Sequence, residues 1–188
     1  MTSRHAMSIF LRLMFGLIVQ SLIGSPSFAQ DLSILSDFGR DDFFYQSAQI
    51  IQNGNSNRAQ ISQANGFGSG LANYAEINQD GSDNDASITQ SGDLNKARIL
   101  QNGDGNVAYL VQTGVANTAD IVQMGGNNSL YATQTGNYNS IISSQQGGAN
   151  ANLTQIGDNN VINTIQLLGG SLSIRQEGNN LTATVRQN

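Results

Sequence analysis

Glutamine returns along this chain at an almost fixed step: Gln52, Gln63, Gln79, Gln90, Gln101, Gln112, Gln123, Gln134, Gln145, Gln155, Gln166, Gln176 and Gln187. Nine of the twelve intervals are eleven residues, two are ten and one is sixteen. The pattern Q-x-G-x-x-N-x-A-x-x-x-Q is complete five times, from Gln52, Gln79, Gln90, Gln101 and Gln112. The units at Gln123 and Gln134 keep the Gly, the Asn and the next Gln but carry Leu130 and Ile141 in place of Ala. After Gln145 the pattern loosens. The sixteen-residue interval holds Gly66-Phe67-Gly68-Ser69-Gly70, which reads as a loop insertion at 66–70, because Asn73, Ala75 and Ile77 resume the register. A fixed short period marks a stack of like units, since one such unit cannot bury its own apolar face.

Within a unit the alternation has period two. Asn84, Ala86, Ile88 and Gln90 point one way, and Asp85, Ser87 and Thr89 the other, which is the pattern of a strand. Two residues past each glutamine stand Gly54, Gly81, Gly92, Gly103, Gly114 and Gly125. Glycine takes positive φ without steric cost, so the chain is expected to turn there. An isolated strand of this length is unstable, and it must pair with copies of itself. Two units, strand–turn–strand–turn, make one coil of twenty-two residues. Stacking such coils in parallel, about 4.8 Å apart, gives an all-β fold, a β-solenoid or amyloid-like cross-β stack of roughly six coils over residues 48–188. Ala86, Ile88, Ile99, Leu110 and Ile121 would fill its thin interior. Gln52, Asn57, Gln79, Asn84, Gln90, Asn95, Gln101, Asn106, Gln112, Asn117, Gln123 and Asn128 would stand over one another as an assembly ladder. Their amides donate on one side and accept on the other, which satisfies groups otherwise costly to bury.

Outward positions give a separate test of the coil length. Glu76, Arg98 and Asp120 are twenty-two residues apart with no insertion between them. Stacked, they form a charge column of alternating sign, which is favourable in register. An eleven-residue coil would instead set Arg98 over Ser87 and Tyr109. Tyr109 and Tyr131 share the corresponding column of the other face, where a stabilising ring pair is expected rather than an adhesive stripe.

The first 29 residues read as a secretory signal peptide. Arg4 and His5 give a positive start, Leu13-Met14-Phe15-Gly16-Leu17-Ile18-Val19 an apolar run too short to span a bilayer, and Ser27-Phe28-Ala29 small residues for cleavage between Ala29 and Gln30. His5 and Pro26 are the only histidine and proline and leave with that segment. The remaining 30–188 holds 41 Asn and Gln among 159 residues and no cysteine, so disulfides do not hold it. Removing Arg4 and Arg12 from the eight basic residues leaves six against thirteen acidic, a net charge of −7. An acidic chain without a basic patch argues against nucleic acid.

These repeats resemble the curlin repeat of curli, the functional amyloid fibres of bacterial biofilms. The family motif, Ser-x5-Gln-x-Gly-x-x-Asn-x-Ala-x3-Gln, is matched at its Gln, Gly, Asn, Ala and Gln positions in the five complete units, and the resemblance covers Ala48 to Gln187. The leading Ser is often replaced, as by Asn84 ahead of Gln90. The resemblance implies an exported subunit that crosses the outer membrane through a dedicated pore with accessory factors. It implies polymerisation with itself and other curlin subunits into extracellular cell-surface fibres, a fimbrium or pilus, for adhesion and biofilm matrix. The family has a major subunit that forms the fibre body and a minor one that nucleates it. Residues 30–47, QDLSILSDFGRDDFFYQS, form an acidic and aromatic segment without the Gly-rich leader of the major type. Arg58, Lys96 and Arg98, with Ser173-Ile174-Arg175-Gln176 and Val185-Arg186-Gln187, look more like the minor, nucleating subunit. Segment 30–47 has three open roles: covering one end of the stack, engaging the pore, or staying without structure.

Nothing in the chain supports catalysis, a cofactor, a small-molecule substrate or a metal. Without histidine or thiol in 30–188, the usual general base and strongest nucleophile are missing. Asp41-Asp42 reads as a solvated acidic pair. Asp80, Asp83 and Asp85 with Gly81 lack both the later Glu of an EF-hand and the nonapeptide of calcium β-helices, so Asp83 and Asp85 are expected at a turn. Prolines that would interrupt a ladder are absent after Pro26, and no C-terminal cap is evident. The rival to a fibre subunit is a capped, monomeric β-solenoid that acts as a surface-binding module; an enzyme on a β-helix is the remote third.

Overall fold

The computed structural model describes residues 34–37, 46–65 and 71–188. The expected signal peptide, its cleavage site at Ala29 and Gln30, and the insertion 66–70 lie outside these residues. The strands in chain order are β1 (Ile34–Asp37), β2 (Ser47–Asn53), β3 (Arg58–Ala64), β4 (Tyr74–Asp80), β5 (Asp85–Asp93), β6 (Lys96–Asn102) and β7 (Val107–Val115). There follow β8 (Thr118–Met124), β9 (Ser129–Asn137), β10 (Ser140–Gln146), β11 (Ala149–Ile156), β12 (Val161–Gln166), β13 (Gly170–Glu177) and β14 (Thr182–Gln187). They build two seven-stranded parallel sheets, one ordered β1-β3-β5-β7-β9-β11-β13 and the other β14-β12-β10-β8-β6-β4-β2. Each strand therefore pairs with the strand two places on, and the chain winds as a β-solenoid.

The register follows the glutamine spacing. Gln79 pairs with Gln101 and Gln101 with Gln123, a step of twenty-two. Gln52 pairs with Gln79 across twenty-seven residues, so the five extra residues of this step leave the register of the stack intact. Gln145 pairs with Gln166 across twenty-one, the shorter step of the loosened repeats. The solenoid opens at Ser47, and β1 adds the non-repeat residues 34–37 to the edge of β3.

Every interior strand buries alternate residues. In β5 these are Ala86, Ile88 and Gln90, and in β6 Ala97, Ile99 and Gln101. Ile61, Ile77, Ile88, Ile99, Leu110, Ile121, Leu130, Ile141, Leu153 and Ile162 are fully buried. One such side chain per strand, at about 1.5–3 kcal/mol each, is the main hydrophobic contribution. The column that runs through Ile121 turns polar further on: Ser143 and Thr164 are buried there, and Thr164 Oγ1 donates to Ser143 Oγ at 2.9 Å.

The turn glycines carry a second constraint beyond conformation. Gly54, Gly81, Gly92, Gly103, Gly114 and Gly125 all have positive φ, from 79° to 122°. A β-carbon at Gly54, Gly81, Gly92, Gly103 or Gly114 would run into the carbonyl oxygen of the corresponding glycine on the next coil. Stacking, as well as turning, excludes a side chain. Asp83 lies in a turn with φ 57°, but Asp85 opens β5, which corrects its expected place in that turn.

Gly103→Ala adds both the steric conflict with Gly125 and the cost of positive φ, about 1–3 kcal/mol for the backbone term alone. Gly126→Ala meets only the Asp104 carbonyl oxygen at 3.3 Å and needs no positive φ. Equilibrium denaturant unfolding should show the first clearly destabilised and the second much less so.

Candidate assembly site

The surface by which coils hold one another is the candidate functional site, and glutamine and asparagine build most of it. On the sheet of even-numbered strands, Gln52 Nε2 donates to Gln79 Oε1 at 2.6 Å, Gln79 to Gln101 at 2.8 Å, Gln101 to Gln123 at 2.8 Å and Gln123 to Gln145 at 2.9 Å. The line continues through Gln166 to Gln187. On the other sheet Gln63 donates to Gln90, Gln90 to Gln112, Gln112 to Gln134, Gln134 to Gln155 and Gln155 to Gln176, all at 2.7–2.9 Å. The second amide proton crosses the interior. Gln79 gives it to the Arg58 carbonyl at 2.8 Å, Gln90 to Tyr74 at 2.9 Å, Gln101 to Asp85 at 3.2 Å and Gln112 to Lys96 at 3.1 Å. One side chain thus joins coil to coil and sheet to sheet.

Asparagine does the same work in the turns, with opposite polarity. Asn57 Oδ1 accepts from both the backbone N–H and Nδ2 of Asn84, Asn84 from Asn106, and Asn106 from Asn128, at 2.8–3.2 Å. In the opposite turns Asn73 accepts from Asn95, Asn95 from Asn117 and Asn117 from Asn139. Most of these Nδ2 groups have a further acceptor in the glycine carbonyl of the next coil, as from Asn84 to Gly103 at 2.7 Å and from Asn95 to Gly114 at 2.9 Å, whereas Asn128 gives its second proton to the Met124 carbonyl at 2.9 Å. Glutamine carbonyls therefore point toward the N-terminal end of the stack and asparagine carbonyls toward the C-terminal end.

Burial explains why the amides sit at fixed places. Gln79, Gln101, Gln112, Gln123, Asn95, Asn106, Asn117 and Asn128 are fully buried. Among the described residues, no buried side-chain nitrogen or oxygen lacks a partner. Each hydrogen bond contributes about 1 kcal/mol net, whereas an orphaned buried partner costs about 1–3 kcal/mol. Position-specific satisfaction, more than the sum of bonds, keeps the register.

The structure brings together the other predicted residues as well. Glu76 pairs in register with Arg98, and Arg98 with Asp120. The guanidinium grips Asp120 through Nε at 3.0 Å and Nη2 at 2.8 Å, while Glu76 accepts the Tyr74 hydroxyl at 2.9 Å. Both ends of the Arg98–Asp120 pair are 43% exposed, so its contribution is at most about 1 kcal/mol. On the other face the Tyr109 and Tyr131 rings lie 5.3 Å apart, and Tyr109 donates its hydroxyl to Asp85 at 2.6 Å. That bond, with partial burial and the Asp85 charge, pushes the Tyr109 phenol up to about 12.

Sequence reasoning named the first of the ladder residues and missed others. Gln63, Gln134, Gln145, Gln155, Gln166 and Gln176 belong to the same columns, and the glutamine period that found the rest marks them too. Asn73, Asn139 and Asn160 complete the turn columns, and Asn139 follows Gln134 at the motif's own offset. Ala149 takes the place after Asn128, whose Oδ1 instead accepts the backbone N–H groups of Gly148 and Ala149.

Residues 69–92 match the family model of the curlin associated repeat. No curated protein and no solved structure matches the chain.

Gln101→Ala and Gln112→Ala each strand a fully buried donor above and an acceptor below. Each should cost about 1–3 kcal/mol; in denaturant unfolding Thr89→Ala and Val111→Ala, on the outer face, should cost clearly less. The raised Tyr109 phenol sets a pH dependence. Its proton is held more tightly folded than unfolded, so its stabilisation is complete below about pH 10 and disappears as pH rises toward about 12. Spectrophotometric titration should show Tyr109 ionising late, and Asp85→Asn should move that ionisation to lower pH.

Proposed function

We propose that this chain is a secreted structural subunit of curli-type extracellular fibres, which grows them by templated strand stacking for adhesion and biofilm matrix. The curlin-repeat match and the β-solenoid fit a structural subunit of that type. The observation that carries the reading is that one coil-to-coil contact recurs down the stack; by the reading, the same contact joins one molecule to the next. Soluble proteins ordinarily conceal strand edges of this kind. Addition of a strand to such an edge is an established mode of recognition.

Within the reading, the chain is the minor, nucleating subunit. Support comes from Arg58, Lys96 and Arg98 in the early strands and from Arg175 and Arg186 on β13 and β14. The acidic and aromatic composition of residues 30–47 favours the same type over the major one. Export follows removal of residues 1–29 after Ala29 and passage through an outer-membrane pore.

Purified chain 30–188 at micromolar concentration should form fibres that seed further growth, followed by thioflavin fluorescence and microscopy. A monomer stable for days would defeat the reading and favour a surface-binding module. Added at a small fraction of a major curlin subunit, this chain should shorten that subunit's lag. Added mass with no change in lag would make it the major type.

A further inference from the structure

The two ends of the stack are not equivalent. At the N-terminal end the first interior residues are covered: Ala48 is 7% exposed, Ile50 3%, and Ala59 and Ile61 lie at or below 1%. There β1 also pairs with β3. At the other end β13 and β14 are the outer strands, and their inward residues Leu172, Ile174, Ala183 and Val185 are only half-buried. Their equivalents one coil back, Ala151, Leu153, Ile162 and Thr164, are buried.

The hydrogen bonding of the last coil is also half used. Gln155 Nε2 donates to both Ser140 O and Gln176 Oε1, whereas Gln176 Nε2 has, among the described residues, only the Val161 carbonyl. Gln187 accepts from Gln166 through Oε1, and among the described residues no acceptor bonds its own Nε2. Gly178, with φ 125°, keeps the positive φ of the turn glycines beneath it, Gly157 at 114° and Gly136 at 115°. A β-carbon at Gly157 would strike the Gly178 carbonyl, while one at Gly178 would meet nothing nearer than Leu181 Cδ1 at 3.7 Å. Space, donors and apolar surface are all those of a coil that has a successor.

We infer that growth has one direction: the β13–β14 end of a folded copy receives the N-terminal coil of a second copy, which then folds from its N-terminus onward. The inference rests on the fibre-subunit reading and adds polarity to it. The occupant is a second copy of this chain because the columns continue in register. β2 of the newcomer would extend the sheet beyond β14, with Gln52 following Gln145, Gln166 and Gln187, and β1 would extend the sheet beyond β13. Each arrival leaves a new β13–β14 end exposed, so the growing end regenerates itself. Reverse addition would require a newcomer to seat its last coil on interior residues that are already covered.

Proline variants of the edges separate these directions, because proline removes an outward N–H and is tolerated at an edge. The Val161 N–H bonds Leu181 O and the Leu167 N–H bonds Gln187 O, so the odd-numbered residues of β14 face β12 and Thr184 faces outward. The Gly178 N–H bonds Ile156 O, so Ser173 on β13 faces outward by the same alternation. The double variant Ser173→Pro, Thr184→Pro should add to a growing fibre and then stop it. Ala48→Pro, on the far edge of β2, should fail to add and leave growth untouched. Circular dichroism first establishes that each variant forms strand structure.

In seeded growth with roughly one variant per ten wild-type chains, the double variant should limit new growth to roughly ten chains per fibre, since each capture removes an edge N–H from the acceptor. Ala48→Pro should give wild-type lengths. Termination by Ala48→Pro alone, by both variants equally or by neither overturns the polarity while the assembly reading stands. Failure of the wild-type chain to elongate any seed defeats the assembly reading, and the polarity with it.

Discussion

Primary amides buried in register are the interaction on which this structure depends. The interior is one aliphatic side chain thick, too little to specify alignment by apolar packing alone. An aliphatic column tolerates a slip along the axis, whereas an amide column does not. Moving one strand by one residue would take Gln101 out of reach of Gln79, Gln123 and the Asp85 carbonyl together. Because an unpaired buried amide costs more than a paired one contributes, the ladder acts chiefly against wrong registers. The glycines serve the same end, for the close approach of turn to turn lets asparagines such as Asn84, Asn95 and Asn117 reach the next glycine carbonyl.

This division of labour accounts for which positions vary. Outward residues change freely down a column: Glu76, Arg98, Asp120 and Ile142 succeed one another on one face, and Ser87, Tyr109, Tyr131 and Asn152 on the other. The inward aliphatic may be Ile, Leu or Ala. The amide and the turn glycine change least, since no other side chain satisfies the same donors and acceptors and no other residue fits the turn. Assembly as proposed would ask nothing further of the interior, because a contact that aligns coils within a chain would also align them between chains.

Much of this was legible in the sequence because the fold is periodic. Gln, Gly and Asn at fixed offsets gave the strand, the turn and the twenty-two-residue coil, and Glu76, Arg98 and Asp120 gave the stacking independently. The twenty-seven-residue step from Gln52 to Gln79 was legible from the resumption at Asn73. Less visible were features set by three-dimensional context. β1 carries no repeat residue, so its pairing with β3 has no periodic signal. Ser143 and Thr164 interrupt an aliphatic column as a mutually bonded pair, which reads in sequence only as two lost hydrophobes. Asp85, four residues past the turn glycine Gly81, looked like a turn residue, yet it opens β5 and accepts the Tyr109 hydroxyl from one coil away. The direction in which each amide points is likewise invisible until the neighbouring carbonyls are placed.

That direction bears on how far such a stack can extend. An α-helix adds aligned peptide dipoles and carries a macrodipole with partial charge at each end. Here the glutamine carbonyls point to one end and the asparagine carbonyls to the other, so their axial contributions oppose one another. Parallel strands also add little net dipole along the stacking direction. Lengthening such a solenoid would therefore add little axial dipole, from its amide columns or from its strands.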